Sequence, residues 1–215
     1  MTTIWAENLL RYLSLVPGGV LSGELYPGVD WAARFGSCAT GTSQTWRTVW
    51  GVNASYVFSA TAENLYVSSS STSDIGRIIV VTGLDNDFNE IYGYGITNGQ
   101  AQSIVTSLPG AGTPVQFFRV NHAQDVTPAL VSHSAVGNIY IATADAAPGG
   151  VPAVANTRAY IAAGESYANG IVYTTPRGKA AAFCNVAVSQ RGDQQIEFRA
   201  LTTVMLLQNS TKIYL

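Results

Sequence analysis

The chain has 215 residues, of which 47% are hydrophobic and only 11% charged, and its formal net charge is −2. A soluble domain ordinarily carries about 25% Asp, Glu, Lys and Arg, so Ser, Thr, Asn, Gln and Gly stand in for charge here. The eleven Lys and Arg residues are scattered and form no basic stripe, which excludes a phosphate-neutralising groove. Abundant aromatic and β-branched residues exclude a disordered chain. No apolar run reaches the roughly 18 residues of a membrane span. Glu7 and Arg11 interrupt the N-terminal apolar stretch and no basic region precedes it, so no secretory signal is expected. A cytoplasmic site of folding then makes Cys38 and Cys184 free thiols rather than a disulfide, and their separation fits no zinc motif. A surface poor in Lys, Glu and Asp suits a subunit packed against others, because interface cores are depleted in those residues.

Residues 4–15 carry the one helical period. Trp5, Leu9 and Leu13 recur at i, i+4, i+8, Glu7 and Arg11 pair on another face, Thr3 is placed to cap, and Pro17-Gly18-Gly19 ends the run. Two readings stand open for this helix: docked on its own domain, or an arm packed on a neighbouring subunit. Residues 16–54 show no strand or helix period and are rich in Gly, Pro, Ser and Thr. Trp31, Phe35, Trp46 and Trp50 in this stretch call for a cover. The segment is expected either to wrap the domain or to order on a partner.

From residue 55 the chain reads as strands and turns. Strands are expected at 55–60, 63–70, 76–83, 88–97, 102–107, 114–123, 136–143, 157–163, 169–174, 179–189, 194–200 and 202–208, rich in Val, Ile, Tyr and Phe. Turn signals such as Leu84-Asp85-Asn86-Asp87, Asn98-Gly99 and Pro176-Arg177-Gly178 separate them. Short strands without intervening helices specify an antiparallel sandwich or jelly roll and exclude a parallel α/β sheet. Within 88–96, Tyr92 and Tyr94 alternate with Gly93 and Gly95. Glycines on one face predict close approach of a second sheet or a subunit.

Signs of chemistry are sparse. His122 and His133 are the two histidines. With Asp125 or Asp145 either makes a formal Ser-His-Asp set, but Gly164-Glu165-Ser166-Tyr167-Ala168 misses the nucleophile-elbow pattern at its last position. Asp85, Asp87 and Glu90, with Asp74 nearby, offer oxygen ligands for calcium. Their spacing misses the EF-hand loop, and Asp or Asn bonding to turn backbone is the simpler expectation. A carboxylate pair for glycoside hydrolysis is defined in space, so thirteen acids indicate nothing by themselves. Pro176-Arg177-Gly178-Lys179 lacks phosphate-loop spacing and reads as a hairpin turn. Eleven tyrosines allow an aromatic platform for a carbohydrate or receptor, although half-buried strand positions are commoner for Tyr.

The order of several short motifs resembles a family of tailed-bacteriophage virion structural proteins, some of them capsid decoration (cement) proteins. The motifs are the serine run 68–71 leading to Asp74, Arg77-Ile78-Ile79-Val80-Val81-Thr82-Gly83-Leu84-Asp85, and Asn89-Glu90. They continue with Phe118-Arg119-Val120-Asn121-His122-Ala123, Gly137-Asn138-Ile139-Tyr140-Ile141, Ile161-Ala162-Ala163-Gly164-Glu165 and Tyr173-Thr174-Thr175-Pro176-Arg177-Gly178-Lys179-Ala180. The stretch Val29-Asp30-Trp31-Ala32-Ala33-Arg34-Phe35-Gly36 is similar to the family's N-terminal region. Arg177 and His122 depart from the family's small and basic residues at those positions, and residues 200–215 match nothing in it. The resemblance transfers no catalytic residue. It implies a jelly-roll virion subunit, a trimer, on the outer capsid surface after synthesis in the host cytoplasm.

The combined expectation is an all-β antiparallel sandwich or jelly roll over 55–215, preceded by a short helix and irregular arm over 1–54. Its function would be non-enzymatic, without cofactor or metal, binding neither nucleic acid nor membrane. It would decorate the phage head by bridging capsomers, with the major capsid protein and its own copies as partners. Trp5, Leu9, Leu13, Trp31 and Phe35 would supply interface contacts. The alternatives are a tail, fibre or baseplate component and a carbohydrate-binding module.

Overall fold

The computed structural model describes residues 49–52, 55–107, 112–128, 134–143, 149–170 and 172–179. Within them nine strands form three antiparallel sheets, joined by two short 3-10 turns and irregular connections, with no α-helix. The strands are β1 (Glu63–Asn64), β2 (Tyr66–Ser69), β3 (Ile78–Leu84), β4 (Glu90–Ile96), β5 (Gln102–Ser103), β6 (Gln116–Phe117), β7 (Arg119–Asp125), β8 (Ile139–Ala142) and β9 (Thr157–Ile161). One sheet has the order β5-β2-β8-β9, the second β4-β3-β7, and β1 pairs with β6 in the third.

The two larger sheets share one core. Val67 from β2, Ile139 and Ile141 from β8 and Ile161 from β9 cluster with Ile79 and Val81 from β3 and Ala123 from β7, all buried. Burial alternates along β3 and β4, as a strand with one wet face requires. The glycines of β4 make the close approach possible. A Cβ at Gly95 would strike Val67 of the facing sheet, and one at Gly93 would stand 2.6 Å from Ile104 Cγ2. The alternation of tyrosine and glycine thus marks sheet-to-sheet packing.

Both seams between these sheets carry backbone hydrogen bonds. At one, residues 104–105 continue β5 onto β4: Tyr94 and Val105 exchange two N–H···O bonds of 2.8 Å, and Ile104 N donates to Leu65 O at 2.9 Å. At the other, residues 166–169 lie between β7 and β9. Asp125 N donates to Ser166 O (2.9 Å), Ala168 N to Ala123 O (2.8 Å) and Asn169 N to Tyr160 O (2.7 Å). The β4 edge is thus bridged at Tyr94, and the β7 edge at Ala123 and Asp125.

Expected strands and observed ones diverge at defined places. Residues 63–70 split into β1 and β2, and 114–123 into β6 and β7. The stretch 55–60 forms no strand. Its aromatics pack as rings instead, Tyr56 edge-on to both Trp50 (5.1 Å) and Phe58 (4.9 Å). The described residues of 169–174 also form none beyond a single bridge, Gly170 to Trp50. Trp50 is buried, so this tryptophan of the irregular segment has the cover its size demands. The expected strands at 194–200 and 202–208, all of 179–189 but Lys179, and the helix at 4–15 lie outside the described residues.

Candidate functional site

Two polar clusters and one exposed sheet face hold the side chains with chemical potential. The first cluster lies where the chain passes twice between the large sheets. Residues 70–77 lead from β2 to β3, and 126–138 lead from β7 to β8. Arg77 joins them. Its Nε donates to Asp74 Oδ1 at 3.0 Å, its Nη1 to Asp125 Oδ2 at 2.7 Å, and its Nη2 to the Ser134 carbonyl. Asp74 also accepts from the Ser69 hydroxyl (2.6 Å) and from the backbone N–H groups of Val136 and Gly137 (2.8 Å each). Asp125 accepts from Thr127 N at 3.0 Å and from the Thr127 hydroxyl. All three charged side chains are at most 4% exposed. Burial alone pushes the Asp74 carboxyl upward. The Ser69 hydroxyl, the two backbone N–H groups and Arg77 outweigh it and hold the group below its usual range.

The second cluster lies at the opposite end of the same strands. Arg158 is the extra residue of a bulge in β9, between Thr157 and Ala159, which pair with Ala142 and Ile141. Its Nε donates to the Ser59 hydroxyl at 2.9 Å, its Nη2 to Glu63 Oε2 at 3.2 Å, and its Nη1 to Ala155 O at 2.8 Å. Arg119 donates to the carbonyls of Ser59 and Phe118 at 2.7 Å each and lies 3.7 Å from the Phe118 ring centroid. Tyr56 donates to Arg158 O at 3.1 Å. Burial pushes this phenol up to about 12, against the opposing pull of Arg158 and Arg119. Burial likewise lowers the pKa of Arg119.

A second bulge, in β7, aims Asn121 outward. Thr82 pairs with His122 and Gly83 with Val120, so Asn121 is the unpaired residue. Its amide exchanges two 2.8 Å hydrogen bonds with the backbone of Thr174. One side chain thus holds the segment 172–179 as a strand partner would.

The exposed face belongs to the β4-β3-β7 sheet. Tyr92 pairs with Thr82 and Thr82 with His122. In the next row Tyr94, Val80, Gln124 and Tyr167 follow one another. Tyr92 meets Tyr94 edge-on, and His122 stacks on Tyr167 with centroids 5.8 Å apart.

These placements settle what several sequence candidates do. His122 stacks on a tyrosine, while Asp125 is engaged by Arg77 and Thr127. Gly164, at φ +83, sits in a turn, and Ser166 lends its carbonyl to the seam. Asp85 takes three hydrogen bonds within its own turn, from Asp87 N, Asn89 N and Asn89 Nδ2 (2.8–3.0 Å). Against the upward push of burial these bonds lower its pKa. Glu90 pairs instead with Lys179 at 3.0 Å. The described residues contain no group of three metal-ligating side chains. Pro176-Arg177-Gly178-Lys179 forms a turn, closed by Lys179 N donating to Pro176 O, with Gly178 at φ +74, but no strand among the described residues leads into it as a hairpin requires. Trp5, Leu9, Leu13, Trp31, Phe35, Cys38, His133, Asp145 and Cys184 lie outside the described residues.

The Arg77 cluster was not foreseen from sequence. Its sequence signal is the pair Asp74 and Arg77 just before a strongly apolar strand, in a chain otherwise poor in charge. No helix among the described residues is long and apolar enough to cross a membrane. No protein-family model matches the chain, and neither a curated protein nor a solved structure matches it.

Proposed function

We propose that the chain is a structural subunit of a tailed-bacteriophage virion, a capsid decoration protein with a sandwich of jelly-roll type. The observation that carries this reading is the nested pairing of strands. β2 lies against β8 and β3 against β7, and residues 70 and 74 of one connection bond to residues 136–138 of the other. A chain folded back on itself as a double ribbon, then wrapped, produces this order in a jelly roll. The motifs behind the family resemblance fall on that framework. Ser69, Asp74, Arg77 and Gly137 all belong to the first polar cluster, and Asn121 makes the β7 bulge. The similarity therefore bears on residues that hold the fold.

In this role the protein acts by binding linkage. A subunit that binds the mature shell better than any other state of it stabilises that shell by its differential affinity. A sequence low in charge favours lateral contacts, with sister subunits as a trimer and with the major capsid protein. Trp5, Leu9, Leu13, Trp31 and Phe35 are the proposed contact residues.

Quantitative mass spectrometry of purified virions tests the proposal. Hundreds of copies per particle are expected for a head protein. A dozen or fewer would place the chain in the tail, fibre or baseplate, and absence from virions would overturn the virion role.

A further inference from the structure

We propose that the outer face of the β4-β3-β7 sheet binds an extended, uncharged polysaccharide. The face has exposed rings at both margins: Tyr92 is 59% exposed and Tyr167 54%. Between them the register sets Tyr94, Thr82, Val80, Gln124 and His122 in two adjoining rows. The rows cross β4, β3, β7 and the Tyr167 segment, three strand spacings or about 14 Å. That span suits several consecutive sugar rings. A row on an open sheet offers length without an enclosing pocket, so it selects a chain over a single small molecule.

The chemistry of the row selects the ligand class. It contains no Asp, Glu, Lys or Arg. Glu90, two residues before Tyr92, pairs with Lys179 at 3.0 Å, and exposed Glu165, two residues before Tyr167, adds a negative charge beside the other margin. A sulfated, phosphorylated or uronic polymer would meet no cation here, whereas a neutral one loses nothing. Sugar rings present an apolar C–H face with a rim of hydroxyls. Tyrosine rings match the first, and phenol, threonine hydroxyl and glutamine amide match the second. A protein partner would favour a continuous apolar centre, which the interleaved Thr82 and Gln124 interrupt. The proposal does not depend on the virion reading, and its test requires no phage particle.

Affinity electrophoresis of the full chain in gels containing soluble starch, a β-1,3-glucan or a galactomannan tests it, with dextran sulfate as the charged control. Retardation is expected in at least one neutral gel and not in dextran sulfate. Tyr92→Ala combined with Tyr167→Ala is expected to raise the dissociation constant about tenfold or more. Tyr92→Phe keeps the ring and most of the retardation. Val154→Ala, exposed elsewhere on the chain, leaves it unchanged. Thermal unfolding midpoints near wild type establish that the variants fold. The proposal is overturned if no neutral gel retards the wild type, or if a folded double variant is retarded as strongly. It is also overturned if sedimentation shows that the double variant converts an oligomer to a monomer, which assigns the face to a second copy.

Discussion

The Arg77 cluster and the Arg119–Arg158 cluster stand at opposite ends of the same strands, and each holds buried guanidinium groups. Arg77 has a carboxylate on either side, and its nearly dry surroundings are completed by backbone N–H groups and hydroxyls. Arg158 faces Glu63, whose side chain is 31% exposed. Arg119 leans on backbone carbonyls and aromatic rings. The first arrangement locks two chain crossings together. The second trims the end of the sheets, where water still reaches the counter-ion. A buried ion pair gives little net stability over an apolar replacement, but removing one partner leaves an uncompensated charge. The contrast therefore predicts unequal penalties for similar substitutions.

The largest penalty is expected for Arg77→Met. It strands Asp74 and Asp125, both nearly inaccessible, and is expected to cost about 3–5 kcal/mol in urea unfolding. Arg158→Met leaves Glu63 able to rehydrate, and about 1–3 kcal/mol is expected. Equal costs would show that water reaches both ends alike.

Next in size is the response to pH, which runs in opposite directions at the two ends. Asp74 binds its proton less tightly when folded, so acid favours the unfolded chain. Its contribution is complete above the ordinary value of 3.8 and is lost as pH falls through the lower folded value. Tyr56 holds its proton more tightly when folded. Its contribution is complete below pH 10.0 and is lost as pH rises from there to about 12. That loss amounts to at most about 2–3 kcal/mol. Urea midpoints measured across pH should show the acid decline flattened in Asp74→Asn and the alkaline decline flattened in Tyr56→Phe. Exchanged effects would contradict the assignment of each group to its end.

How far the sequence foretold this structure depends on the range of the interaction. The strand around Tyr92–Tyr94 was readable because alternation is local, and Gly93 and Gly95 marked a close approach for the same reason. Ile78-Ile79-Val80-Val81 is apolar on both faces and reads as a fully interior strand, whereas Ile78 and Val80 are only half-buried, because the sheet packs on one face alone. The bulges at Asn121 and Arg158 were not readable. A bulge depends on register against another strand, and neither residue type announces one. The Arg77 cluster brings residue 74 beside 125 and 136, a pairing that only the folded topology creates. At 55–60 strand propensity lost to ring packing, because Tyr56 and Phe58 gain more by covering Trp50 and the Arg119 guanidinium than by extending a sheet edge.

The smallest effect is the sharpest check on the role of burial. Lys179 Nζ lies 3.0 Å from Glu90 Oε2, the same separation as Arg77 Nε from Asp74 Oδ1. By distance alone the two pairs are equivalent. The side chains of Lys179 and Glu90 are 51% and 61% exposed, however, against 4% and 0% for Arg77 and Asp74. Water and salt screen the outer pair, and each partner keeps its hydration when the other is removed. Lys179→Ala is therefore expected to change stability by no more than about 0.5 kcal/mol, with that change shrinking further in high salt. A loss comparable to Arg77→Met would mean that separation, rather than the ease of rehydrating the stranded carboxylate, governs both sites.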